Sequence, residues 1–176
     1  MNVFILNSGR CGSSTFIKAC QHITNYTAAH ESLLNNTGAQ RFNYPKNHIE
    51  ADNRLSWLLG RLDNKYANNA FYVHLTRNNK NVSTSFSKRI DFGILKAYEQ
   101  GILMHDQHLL PARDIAEDYM ETVDSNINLF LKDKLKKIDV SVETAKKDFT
   151  EFWKRINAEG DLEKALEEWD TKHNAS

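Results

Sequence analysis

The sequence lacks most of the features that would take it out of the ordinary globular class. Two cysteines, Cys11 and Cys20, stand in 176 residues; they do not make a disulfide framework and fit a reducing, cytoplasmic setting. Basic and acidic side chains balance to a formal net charge of zero, so no global basic excess points to nucleic acid. No apolar run approaches the roughly 18 residues needed to cross a bilayer. The first residues have no basic stretch, long apolar core or small-residue cleavage site, which argues against a secretory signal. Internal repeats, low-complexity tracts and dividing linkers are missing too. What is present is an apolar fraction of 40%, ordinary for a globular chain and enough for one buried core, expected as a single domain over residues 1–176.

Strand-like and helix-like patterns alternate along the chain. A strand is expected at Asn2–Leu6, a helix from Ser13 to His22, and a short strand from Asn25 to Ala29. A polar loop follows from Ser32 to Asn47, made irregular by Asn35, Asn36, Gly38 and Pro45. Ile49, Leu55, Leu58, Leu59 and Leu62 then suggest the apolar face of a helix running to Tyr66. Phe71–Thr76, rich in aromatic and β-branched residues, is the clearest strand; it ends at Arg77 and gives way to a helix over Lys80–Arg89. Residues 92–135 read as helical with a break near His108–Pro111, and the helices there are expected as a cap beside the sheet. A last strand at Ile138–Val142 and helices at Ala145–Ile156 and Leu162–His173 complete the reading. Alternating strands and helices imply a three-layer α/β fold around a parallel sheet.

The densest chemistry lies at the first strand-to-helix turn, Asn7-Ser8-Gly9-Arg10-Cys11-Gly12-Ser13-Ser14-Thr15. A Gly- and Ser-rich turn that opens straight into a helix aims unpaired backbone N–H groups and the positive end of the helix dipole at one spot, which favours phosphate or sulfate. Arg10 adds a permanent charge and a planar donor fork there. A Walker-type nucleotide loop would need a glycine five residues before Gly12 and a lysine after it; Asn7 and Ser13 occupy those positions. That argues against an ordinary ATP- or GTP-hydrolysing loop.

Arg10-Cys11-Gly12-Ser13-Ser14 resembles the loop of the sulfotransferase superfamily, which typically reads Lys or Arg, Ser, Gly, Thr, Thr. Arg77, at the end of a strand, and Ser85, eight residues on within the next helix, resemble that superfamily's 3′-phosphate site. The resemblance covers roughly residues 1–90. It implies a P-loop-like parallel sheet and a donor, 3′-phosphoadenosine 5′-phosphosulfate, cradled by Gly9, Arg10, Cys11, Gly12, Ser13, Ser14 and Thr15 and gripped at its 3′-phosphate by Arg77 and Ser85. Two separate pockets, one at each end of the adenosine, are expected. No metal is expected for the transfer. The acceptor would be a small molecule, carbohydrate or lipid presenting a hydroxyl, or less readily an amine. Arg10 would stabilise the departing 5′-phosphate, and Glu31 or His30, behind the second strand, would take the acceptor proton, with Glu31 favoured. The Gly-rich C-terminal segment that clamps adenine and 3′-phosphate in many members has no evident counterpart. A nucleotide kinase-like enzyme and a non-catalytic binder of the same nucleotide are the alternatives.

Other polar groups have plainer readings. Glu50 and Arg54, spaced i,i+4, fit a surface ion pair, with acceptor recognition as the other possibility; His48 and Asp52 lack a third ligand for a metal. His105–His108 fits a polar helix end. Arg10, Lys18, Arg77, Lys80, Lys88 and Arg89 all fall in the two anion-binding segments. Glu159, Asp161, Glu163, Glu167, Glu168 and Asp170 fit a solvated helix face. Trp57, Trp153 and Trp169 are expected in the core or at an interface, and Cys11 as the small residue of the loop.

Overall fold

A computed structural model of the protein describes residues 1–105 and 110–171. Five parallel strands form one sheet: β1 (Asn2–Leu6), β2 (Thr27–His30), β3 (His48–Ala51), β4 (Ala70–Thr76) and β5 (Lys137–Ser141). Their spatial order is β2-β3-β1-β4-β5. The central strand, Asn-Val-Phe-Ile-Leu, is buried throughout, as a parallel strand covered on both faces requires. Val3 pairs with Ile49 on one side and with Phe71 on the other.

Neighbouring residues of a strand feed opposite faces. Phe71 meets Phe152 of helix α6 (Ala145–Arg155), while Tyr72 meets Phe130 of helix α5 (Ala112–Leu131). Phe16 of helix α1 (Ser13–Cys20) joins Phe149 and Phe152 on the α6 side, over which helix α7 (Leu162–Glu167) also packs. On the other side Phe4 contacts Tyr66, at the end of helix α2 (Leu59–Tyr66). There α5 packs against helices α3 (Asn79–Ser87) and α4 (Gly93–Gly101). The result is the three-layer α/β arrangement that the alternation of patterns predicts.

One expectation fails. Residues 49–66 are not one helix: His48–Ala51 is strand β3, Asn53–Trp57 is a 3₁₀ turn, and only Leu59–Tyr66 is α-helical. Ile49, Leu55, Leu58, Leu59 and Leu62 imitate a helical stripe because a strand, a turn and a helix each contribute part of it. The strand is concealed by its own polarity, since His48 and Glu50 are buried beside Ile49 and Ala51. Smaller differences concern ends. Residues 92–135 carry α4 and α5, with α5 starting directly after Pro111; residues 106–109, part of the expected break and of the His105–His108 cluster, lie outside the described residues. The final helix stops at Glu167, where a 3₁₀ turn, Glu168–Asp170, takes over. The C-terminal acidic residues are partly engaged: Asp161 caps α7 and pairs with Lys164, and Glu168 meets His22 at 3.1 Å.

The loop between α6 and α7 is pinned to the end of α1 by a close backbone approach. Thr24 N donates to Glu159 O at 2.7 Å and Asp161 N donates to His22 O at 3.1 Å. Gly160, at φ +135°, leaves no room for a side chain: a Cβ would stand 2.1 Å from the His22 carbonyl oxygen. Both the strained φ and the backbone clash act against any larger residue. Gly160→Ala is therefore expected to cost at least about 2 kcal/mol, read as a lower Tm in thermal unfolding; an unchanged Tm would refute the tight approach.

Candidate functional site

The strand order places a switch point beside β1: the chain leaves β1 for β2 and β3 on one side, then crosses to β4 on the other. Crevices at the carboxyl ends of strands at such a point are where open α/β sheets bind ligands. The loop after β1 and the end of β4 meet there.

The loop is held from beneath. Asn7 Oδ1 accepts from Gly9 N at 2.8 Å, Ser56 Oγ donates to Asn7 O at 3.1 Å, and Tyr119 of α5 donates its hydroxyl to Ser8 O at 2.7 Å. Gly9, Arg10 and Gly12 have φ values of 101°, 58° and 81°, so the chain curls through left-handed conformations of the kind found in anion nests. A Cβ on Gly9 would sit 3.0 Å from both Asn53 Nδ2 and Phe86 Cζ, and one on Gly12 3.1 Å from Val142 Cγ2. A side chain at either position would crowd these neighbours and be strained at such positive φ, so both favour glycine. Helix α1 begins directly at Ser13, with no side-chain cap and no acidic residue in its first turn. The dipole at its N-terminus favours an anion there.

Arg10 and Arg77 come together. Arg10 Nε donates to Ser85 Oγ at 2.8 Å, and Arg77 Nη1 donates to the Arg10 carbonyl at 3.3 Å. The sequence reading sets the two segments in separate pockets; here they border one cavity of about 650 Å³, which Gly9, Gly12, Ser13, Ser14 and Thr15 also line, a size common for ligand sites. Lys88 and Arg89 reach the same cavity, whereas Lys18 and Lys80 are not in its lining. Burial, then the neighbouring guanidiniums of Arg89 and Arg77, hold the Arg10 pKa below its ordinary value. Like charges gathered this way are relieved when an anion enters.

His30 and Glu31 line the same cavity. His30 Nε2 and Ser13 Oγ share a hydrogen bond of 3.0 Å, and Glu31 pairs with Arg54 at 3.0 Å. The expected Glu50–Arg54 pair is absent. Glu50 is fully buried on β3, where its carboxylate accepts from Ser32 N at 2.8 Å and Ser32 Oγ at 2.5 Å and meets His48 Nε2 at 3.0 Å. These bonds fix the residue after Glu31, which itself has φ 54°. Asp52 accepts from Arg54 N at 2.9 Å and is paired with buried Arg41. His48 and Asp52 are thus committed to structural partners, and no cluster of three metal-ligating side chains occurs among the described residues.

Cys11 points inward: it is 3% exposed, and its thiol donates to Gly9 O at 3.1 Å. Burial pushes its pKa up to about 12, so it stays a thiol at neutral pH and serves the loop as a small residue. Trp153 lies in the core, Trp57 packs against Tyr98 and Tyr119, and Trp169 lies edge-on to Phe16. Trp169 also borders the cavity together with Val142 and Thr171. Asn53, Asn81, Thr84, Phe86, Phe92, Gly93 and Ile94 also line the cavity and escape motif reading, and Arg54, weighed there for acceptor recognition, lines it too. Asn53 follows β3, whose polar sequence resembles a helix start and conceals the sheet edge.

No helix among the described residues is long and apolar enough to cross a membrane. No family model matches the sequence, and no curated protein matches it significantly. The structure is similar to that of a sulfotransferase domain from the curacin biosynthetic pathway, with a TM-score of 0.63 over 97% of this chain and 78% of that one, at 14% sequence identity. The parallel sheet, its β2-β3-β1-β4-β5 order and the helices on both faces thus make up a sulfotransferase-like α/β fold.

Proposed function

We propose that the protein is a sulfotransferase that uses 3′-phosphoadenosine 5′-phosphosulfate and an acceptor hydroxyl. The observation that carries this reading is the junction of Arg10, Arg77 and Ser85 around the turn into α1. An uncapped helix N-terminus, a curled glycine loop and clustered arginines suit a small ligand with two anionic groups better than one with a single charge. The donor, when bound, supplies the sulfuryl group and a phosphate leaving group.

The protein's part is positioning and electrostatics. Arg10 and the N–H groups at the start of α1 stabilise the charge that grows on the 5′-phosphate as the S–O bond breaks. Ser13 and Ser14 bring hydroxyls to the same turn. Arg77 offers its planar fork, and Ser85 its hydroxyl, to the 3′-phosphate. Glu31 is the group that accepts the acceptor proton. His30 is already turned to Ser13 and suits orientation of that hydroxyl instead. Arg54 holds the Glu31 carboxylate at the cavity wall until an acceptor arrives. The acceptor is a small molecule, carbohydrate or lipid that reaches this wall.

The test is transfer of radiolabelled sulfate from the donor to a panel of sugar, lipid, phenolic and small aliphatic alcohols. Labelled product with release of adenosine 3′,5′-bisphosphate is the expected result. Tight bisphosphate binding without transfer to any class would favour the non-catalytic reading. Tighter binding of ATP than of the bisphosphate would favour the kinase-like one.

A further inference from the structure

We infer that Glu50 is a positioning residue for the transfer: through Ser32 it holds the turn of the chain that presents Glu31 to the cavity; the inference rests on the reading of Glu31 as the proton acceptor. Glu50 stands on β3 with no exposed surface, where a carboxylate is costly to bury unless its oxygens are satisfied. The sheet itself needs no charge at such a position, and Ile49 and Ala51 on either side are apolar. Both Glu50 oxygens are nevertheless used on Ser32: Oε1 accepts from Ser32 N at 2.8 Å and Oε2 from Ser32 Oγ at 2.5 Å. His48 Nε2 lies 3.0 Å from Oε2, and its Nδ1 lies 2.7 Å from Thr27 Oγ1, so the clamp is also tied to the start of β2.

Ser32 matters because of the residue before it. β2 pairs with β3 as far as His30, opposite Ala51, and Glu31 N still donates to Ala51 O at 3.0 Å. There the chain leaves the sheet: Glu31 has φ 54°, in the left-handed region that a residue with a Cβ disfavours. Such a conformation persists only where its surroundings over-determine it, and it collects at functional sites. Ala51 O holds the N–H of Glu31, and Glu50 holds the N–H and hydroxyl of Ser32, so the turned residue is anchored on both sides. The side-chain end is held separately, by Arg54 at 3.0 Å, whose own N–H donates to Asp52 at 2.9 Å. A general base must lie within hydrogen-bond reach of the proton it takes, and a misplacement of about 1 Å can cost about 100-fold in rate. Glu50 thus bears on the rate although it is not in the lining of the cavity.

The test is a double-mutant cycle on the transfer of radiolabelled sulfate from the donor to the alcohol of the panel that the wild-type protein sulfates fastest. Glu50→Ala is expected to lower kcat by about 10- to 100-fold, with the Kd for adenosine 3′,5′-bisphosphate changed less than about threefold. Glu50→Gln, which keeps the size of the side chain and an acceptor for Ser32 N, should recover most of the rate. Ser32 is exposed, so Ser32→Ala leaves the fold intact; it removes one of the two bonds and should lower kcat by about 3- to 10-fold. That variant carries the test if thermal unfolding shows that Glu50→Ala does not fold. With Glu31→Gln already in place, neither change should slow transfer by more than about twofold, because effects that act through one group do not add. An equal loss with and without Glu31→Gln, or no loss in any of these variants, overturns the role of Glu50. Failure of Glu31→Gln itself to slow transfer overturns the reading of Glu31, and absence of transfer to every alcohol of the panel overturns the donor reading; the inference falls with either.

Discussion

Glu31→Gln is expected to lower sulfuryl transfer by about 10²- to 10⁴-fold, the range for removal of a general base, while leaving the affinity for adenosine 3′,5′-bisphosphate essentially unchanged. Gln keeps the size of the side chain and a carbonyl oxygen for Arg54, which lies 3.0 Å from the carboxylate, but it cannot take a proton at neutral pH. The backbone at Glu31 should survive the change because it is fixed from outside. Glu31 N donates to Ala51 O at 3.0 Å, and the next residue, Ser32, is held through both its N–H and its hydroxyl by buried Glu50. Nucleotide binding should survive as well, since the proposed anion-binding groups lie on the loop after β1, directly after β4 and on α3. The measurement is the release of bisphosphate under single-turnover conditions with an acceptor identified by the transfer assay. An unchanged rate would remove Glu31 as the base and turn attention to His30, whose Nε2 lies 3.0 Å from Ser13 Oγ.

Arg77→Ala should weaken the bisphosphate by about 100-fold or more, the upper end for a lost charge-assisted contact, and adenosine 5′-monophosphate far less. Two effects add in this variant. The guanidinium is removed from the 3′-phosphate, and its hydrogen bond to the Arg10 carbonyl, 3.3 Å long, is lost from the loop. The second effect reaches both nucleotides and the first only one, so the ratio of the two losses isolates the phosphate contact. Arg77→Lys separates them further, because it keeps the charge without the planar fork. Equal losses for the two nucleotides would contradict the assignment of Arg77 to the 3′-phosphate.

These two residues also mark how much the sequence alone discloses. β1, the Gly- and Ser-rich turn, β4 and the spacing of Arg77 and Ser85 are local features. A strand of β-branched and aromatic residues followed by a turn and a helical stripe can be read without knowing what packs on it. β3 cannot. His-Ile-Glu-Ala becomes a strand because it lies between β1 and β2 and because Ser32, far away in the chain, satisfies Glu50. A buried, charged strand looks like a polar helix start until those partners are known. Misreading β3 also hid Asn53, whose place at the sheet edge depends on it, and gave Arg54 the wrong partner. Lys88 and Arg89 are legible as part of a basic segment, but not their place in the cavity lining, which Lys18 and Lys80 do not join. The partner of Glu31 was likewise illegible, since Arg54 pairs with it across the cavity wall and not with Glu50 along one helix.

The central claim is that one adenosine bearing two anionic groups is gripped by the turn into α1 and by the end of β4 at once. A crystal structure with adenosine 3′,5′-bisphosphate tests it most directly. The account predicts the 5′-phosphate against the N–H groups of Gly12–Thr15 and Arg10, with the 3′-phosphate on Arg77 and Ser85. A nucleotide bound outside this cavity, or one whose 3′-phosphate faces solvent, would contradict it.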